Sequence, residues 1–162
     1  MRYFAAVAIA VVALSAPVRA DEEKVPLEKV PKAVLETVKK RFPKAEVIGA
    51  SKEKEKDKTV FEIELKEAGK TIDVTLTPEG AITTIEKQIE AKELPKAVTE
   101  ALEKKYAKAT FKTVEAVYSM KDGKEALDYY EVLLVTADKK TIEVEIFADG
   151  KIKEEEEKKT EK

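Results

Sequence analysis

Residues 94–109 read LPKAVTEALEKKYAKA, and residues 30–45 read VPKAVLETVKKRFPKA. Pro31 and Pro95, Lys32 and Lys96, Ala33 and Ala97, Val34 and Val98, and Glu36 and Glu100 are identical. So are Lys40 and Lys104, Lys44 and Lys108, and Ala45 and Ala109. Val30, Val34, Val38 and Phe42 recur at every fourth position, as do Leu94, Val98, Leu102 and Tyr106. That spacing puts each set on one face of an amphipathic helix. Pro31 and Pro95 fit the first helical turn, where a missing N–H costs nothing. Pro43 stops the first helix, whereas Ala107 is a weaker stop, so the second helix is expected to run slightly longer.

The likeness continues past the helices. VFEIELKEAGKTIDVTLTPEGAI (60–82) aligns with YYEVLLVTADKKTIEVEIFADGKI (129–152). Phe61, Ile63 and Leu65 alternate with Glu62, Glu64 and Lys66, and Ile72, Val74 and Leu76 alternate with Asp73, Thr75 and Thr77. A period of two marks half-buried strands. Ala68-Gly69, Pro78-Glu79-Gly80 and Asp149-Gly150 are turn signals. Short strands at 81–85 and 151–153 close each unit, and strands at 46–50 and about 111–120 precede each hairpin. The fold class expected is α+β: two tandem units of helix plus antiparallel sheet, with the helices on one sheet face and the other face open. One unit of this size has a marginal core, and two can join edges or stack helices.

The division expected along the chain is 1–20 signal peptide, 21–89 first unit, 90–153 second unit and 154–162 charged disordered tail. MRYFAAVAIAVVALSAPVRA (1–20) has Arg2, an apolar run from Phe4 to Leu14 and small residues before Ala20. These are the parts of a secretory signal cleaved after Ala20, and the run is too short to span a bilayer comfortably. Without Arg2 and Arg19 the chain keeps 29 basic and 33 acidic residues, a formal charge of −4. The location expected is periplasmic or secreted, with no stable membrane insertion after cleavage.

The 162 residues include no Cys and no His. Disulfides, thiolate chemistry and imidazole catalysis are therefore excluded. Charged residues make up 40% of the chain with the signs interspersed, so no basic field points to nucleic acid. Carboxylates are abundant but alternate with lysines, and no Gly-rich phosphate loop occurs. No enzyme, cofactor or metal site is expected. The consecutive glutamates at 154–157 lie on a tail read as flexible, where they do not converge as oxygen ligands must. The charged stretches 51–59 and 119–128 read as solvated hairpin tips.

The helix LPKAVTEALEKKYAKA followed by alternating strands and an Asp-Gly turn resembles the PepSY-like family, also described as beta-lactamase-inhibitor-like. Leu94-Pro95-Lys96-Ala97-Val98 with Tyr106, and Val30-Pro31-Lys32-Ala33-Val34 with Phe42, carry the resemblance over about residues 25–155. It implies an exported, bacterial, non-enzymatic protein, and an inhibitory or chaperoning role toward an exported enzyme. Beta-lactamase inhibitor proteins carry disulfides and an aromatic-rich concave face. This chain has no Cys and no Trp, so the resemblance does not imply a lactamase as target.

Alternation also locates a candidate partner surface. The outward set of the first unit is Val60, Glu62, Glu64, Lys66, Asp73, Thr75 and Thr77. The second has Tyr129, Glu131, Leu133, Val135, Glu143, Glu145 and Phe147, so that Leu133, Val135 and Phe147 replace polar groups. Exposed apolar groups on a charged protein mark interfaces. Tyr129, Leu133, Val135 and Phe147, with Tyr118 beside them, are the expected partner-binding residues. The function expected is a non-catalytic binding protein that modulates or inhibits an exported hydrolase through its open sheet face. The alternatives are an envelope sensor of a small molecule, peptide or cation, and a self-associating structural protein that forms a homo-oligomer.

Overall fold

The computed structural model describes residues 23–55 and 58–158. The expected signal segment lies outside them. The described residues form nine strands: β1 (Glu23–Lys24), β2 (Glu46–Glu55), β3 (Lys58–Glu67), β4 (Lys70–Leu76), β5 (Ile82–Gln88), β6 (Thr110–Lys121), β7 (Lys124–Val135), β8 (Thr141–Ile146) and β9 (Ile152–Lys158). They form one antiparallel sheet whose spatial order is the chain order. Two helices, α1 (Lys32–Arg41) and α2 (Lys96–Lys105), follow short 3-10 turns at Leu27–Lys29 and Ala91–Glu93.

This corrects the expected fold class. The described residues are mostly sheet, one continuous nine-stranded sheet with two ten-residue helices, rather than two helix-plus-sheet repeats. Two physical causes account for the difference. First, β5 and β6 pair over Thr84–Ser119, Ile85–Tyr118, Glu86–Val117, Lys87–Ala116 and Gln88–Glu115, which leaves no internal edge. Second, the charged stretches are extended. β2 and β3 pair out to Glu55 and Lys58, and β6 and β7 out to Lys121 and Lys124. Residues 154–158, read from sequence as part of a disordered tail, form most of β9. Their charge suits an edge strand: Lys153 pairs with Glu145, and Lys158 with Glu143 at 2.5 Å.

The helices are seated by the spaced apolar residues. Val34 and Val38 are buried, flanked by Val30 and Phe42, against Ile63, Leu65, Val74, Leu76 and Ile85. Val98 and Leu102, flanked by Leu94 and Tyr106, pack against Val114, Val132, Leu134, Val144 and Ile146. Each fully buried aliphatic side chain is worth roughly 1.5–3 kcal/mol relative to exposure. Both helices have the same length. Pro31 and Pro95 sit just before the helix in extended backbone, and Phe42 and Tyr106 close it alike through N–H bonds of 2.8 Å to the Val38 and Leu102 carbonyls. Pro43 is therefore not what ends α1.

Two turns hold the helices from outside. Gly80 and Gly150 both have φ of +85°, and a Cβ there would lie 2.7 Å from the Ala33 carbonyl oxygen and 2.6 Å from that of Ala97. Only glycine permits both the left-handed backbone and the close approach to the helix.

Candidate functional site on the open sheet face

Alternation along the central strands separates the two faces. Ile85, Tyr118, Ala116 and Val114 lie on the helix-bearing side, by the pairing of β5 with β6. Glu86, Glu115, Val117 and Tyr129 lie on the other side, which no helix among the described residues covers. The register then aligns acidic residues across strands. One row runs Glu64, Asp73, Glu86, Val117, Tyr129, and the next runs Gln88, Glu115, Glu131, Glu145, Glu154.

At the middle of this face Glu86 on β5, Glu115 on β6 and Glu131 on β7 converge. One carboxylate oxygen from each lies within 4.8 Å of the others. All three are half-buried. Burial, followed by repulsion from Glu131, Glu115, Glu62 and Asp73, pushes Glu86 up to about 9. Burial, then Asp73 and Glu143, pushes Glu115 up to about 7. Glu131 is also raised, by burial and then by Glu143, Glu115 and Glu145, against a weaker downward pull from Lys158. Asp73 reaches about 6 through burial and its neighbour Glu64. Desolvation and like charge both disfavour the ionised form, so the signs agree.

The lysines at this end of the face are committed to the periphery. Lys158 donates to Glu143 and, at 3.1 Å, to Glu156. Lys153 pairs with Glu145 and stands 4.0 Å over the Tyr129 ring. Among the described residues no lysine or arginine forms an ion pair with Glu86, Glu115 or Glu131. The triad can hold protons, or a hard cation that takes oxygen ligands.

The expected partner residues are divided by the structure. Tyr129, Leu133 and Val135 are half-buried on β7, and Phe147, just past β8, is 37% exposed. Tyr129 and Leu133 share the open face with the triad, because they flank Glu131 at alternate positions. Tyr118 points to the other side and packs against the first core beside Ile85, with the Lys87 ammonium 4.6 Å from its ring. Of the triad, only Glu131 stood in the outward set read from sequence. Glu86 and Glu115 were not singled out. Their alternation is visible in ITTIEKQ and TFKTVEA, but their convergence depends on β5 pairing with β6.

No protein-family model matches the chain, and comparison with curated proteins returns no match. Solved structures share its fold. A protein from Bacteroides eggerthii described as periplasmic superposes with a TM-score of 0.63 at 15% identity, covering 79% of this chain and 88% of that one. A DUF2874 family protein from Bacteroides uniformis gives 0.61 at 16% identity, over 78% and 88%. A BLIP-like protein from Bacteroides fragilis gives 0.54 at 16% identity, over 77% and 84%. The chain thus has a BLIP-like fold. Among the described residues no helix is long and apolar enough to cross a membrane.

Proposed function

We propose that this is an exported, non-catalytic binding protein whose open sheet face takes up a divalent cation at Glu86, Glu115 and Glu131. The observation that carries the reading is the convergence of three half-buried carboxylates from three adjacent strands, none of which forms an ion pair with a basic side chain among the described residues. Strands fix the donors, and oxygen ligands around a space of this size suit calcium, which tolerates irregular coordination completed by water. Repulsion that burdens the empty face becomes attraction when a cation enters. Export is supported by the composition of residues 1–20 and by the periplasmic descriptions of proteins with this fold. A non-catalytic role fits a chain with no His and no Cys.

The test is equilibrium dialysis with calcium at pH 8, paired with thermal unfolding at matched ionic strength. One ion per chain and a rise in Tm, both lost in Glu115→Gln plus Glu131→Gln, are expected. Unfolding curves and dialysis that do not change at 10-fold-graded calcium up to the millimolar range would overturn the reading.

A second reading is favoured by the BLIP-like fold and by exposed Phe147 near the edge of the same face. In it the face with Tyr129, Leu133, Val135 and Phe147 docks and restrains an exported hydrolase. Stoichiometric inhibition of a hydrolase captured from envelope extract, lost in Leu133→Lys plus Phe147→Lys, is the result that supports it. Capture without inhibition would count against it.

A further inference from the structure

We propose that the β1 edge of the open face holds a separate binding site, for a small zwitterion of the free amino-acid class, whose ammonium bonds to Ser51, Glu62 and Glu64 and whose carboxylate meets Lys24. The site shares no residue with the acidic triad.

A cavity of about 280 Å³ is bounded there by Lys24, Gly49, Ser51, Glu62 and Glu64, with exposed Ile48 beside them. Its origin lies in β2. Val47 and Ala50 both pack against the first core. Their odd spacing would put them on opposite faces of a regular strand. Ile48 is the extra residue of a bulge between Val47 and Gly49. The bulge resets the alternation and turns Gly49 to the open face beside Ser51. Gly49 then keeps the space clear, because a Cβ there would lie 2.9 Å from Glu64 Oε2 and 3.4 Å from Glu64 Cβ.

Ser51 points to a ligand independently. It is 5% exposed, and its Oγ has no hydrogen-bond partner among the described residues. In the register Ser51 faces Glu62 on β3 and Lys24 on β1, and Gly49 faces Glu64. The hydroxyl, both carboxylates and the lysine therefore stand on one side of the sheet, around the cavity. A buried hydroxyl left unpaired destabilises the fold, and a ligand that supplies its partner removes that penalty. An ammonium group has three N–H donors, and Ser51 Oγ and the two carboxylates offer three acceptors. Lys24, on the exposed edge strand, supplies the opposite charge for a carboxylate. The volume lies at the small end of ligand sites, which suits a molecule of this class.

Amide NMR of the nitrogen-15-labelled full chain at pH 7, titrated with L-alanine, L-alaninamide and N-acetyl-L-alanine, tests the assignment. L-Alanine is expected to shift the amides of residues 48–51 and 62–64 and to saturate in the millimolar range. L-Alaninamide, which lacks the carboxylate, should bind more weakly. N-acetyl-L-alanine, which lacks the ammonium, should not bind. Ser51→Ala is expected to weaken L-alanine about tenfold or more while its Tm holds or rises, because it deletes a hydroxyl that no described side chain pairs. Lys24→Gln should bring L-alanine down to the affinity of L-alaninamide.

L-Alaninamide or N-acetyl-L-alanine binding as tightly as L-alanine overturns the proposal, as does Ser51→Ala binding L-alanine unchanged. An absence of saturable shifts with all three probes overturns it too, and leaves the Ser51 hydroxyl to solvent alone.

Discussion

The Lys87 ammonium donates to the Glu125 carboxylate at 2.7 Å, tying β5 to β7 across the intervening β6 on the helix-bearing side. Arg41 of α1 donates to the same carboxylate. Burial alone would raise Glu125, but the bonds from Lys87 and Arg41 outweigh it and hold the group below its ordinary 4.5. A depressed folded value adds stability above 4.5 that disappears as pH falls through the folded value. Glu125→Gln is expected to cost about 1 kcal/mol at pH 7. Urea unfolding at pH 7 and pH 3 checks this, with the two proteins converging in acid.

Glu86→Gln has the opposite sign. A carboxyl raised from 4.5 to about 9 contributes stability that is complete below 4.5 and lost as pH climbs through 9. In the chelated protein the variant is expected to match the native chain near pH 4. At pH 7 it gains about 3 kcal/mol, the cost of protonating a group ionised in the unfolded chain. Denaturation midpoints across pH 4–8 read this directly, and a variant less stable at pH 8 than the native chain contradicts it.

Gly150→Ala tests how α2 is held. The new methyl meets the Ala97 carbonyl oxygen at 2.6 Å in a left-handed backbone. A loss of roughly 2–4 kcal/mol is expected from strain and displaced contacts together. Thermal unfolding measures it, and a Tm change under 2 °C would show that the turn yields freely.

Phe147→Lys should leave stability within about 0.5 kcal/mol, because the ring is 37% exposed. Leu133→Lys, at a half-buried strand position, should cost about 1 kcal/mol. Circular dichroism with urea unfolding establishes whether the pair remains a folded control for hydrolase binding.

The sequence made some of this legible. Val34, Val38, Val98 and Leu102 announced their helices, and Ile63, Leu65, Val74 and Val144 their strands, because burial on one face leaves a period. Charged strands leave no such trace: Glu154, Glu155 and Glu156 look like a solvated tail until β8 supplies hydrogen bonds to them. Glu131 was placed outward by alternation, yet nothing marked it off from Glu143 or Glu145. The triad needs Glu86 beside Glu115, and that neighbourhood comes from the joining of β5 and β6, a contact between segments whose order in space is not written in their periodicity. Tyr118 shows the converse. Its aromatic ring suggested the open face, but pairing with Ile85 turned it toward the core.

Strand order in the sheet repeats strand order in the chain. No strand waits for a partner from a distant segment. The longest passages between paired neighbours, from β1 to β2 and from β5 to β6, are each spanned by a helix that packs beside them. Loop closure is therefore cheap at every step, and such local topologies fold fast. A chain delivered from its N-terminus can add its strands in order of arrival, with the buried residues of the first core present through Ile85 before those of the second, and Tyr118 and Met120 of β6 packing onto the first core afterwards. Assembly of this kind calls for no covalent staple, which suits a chain without a single cysteine.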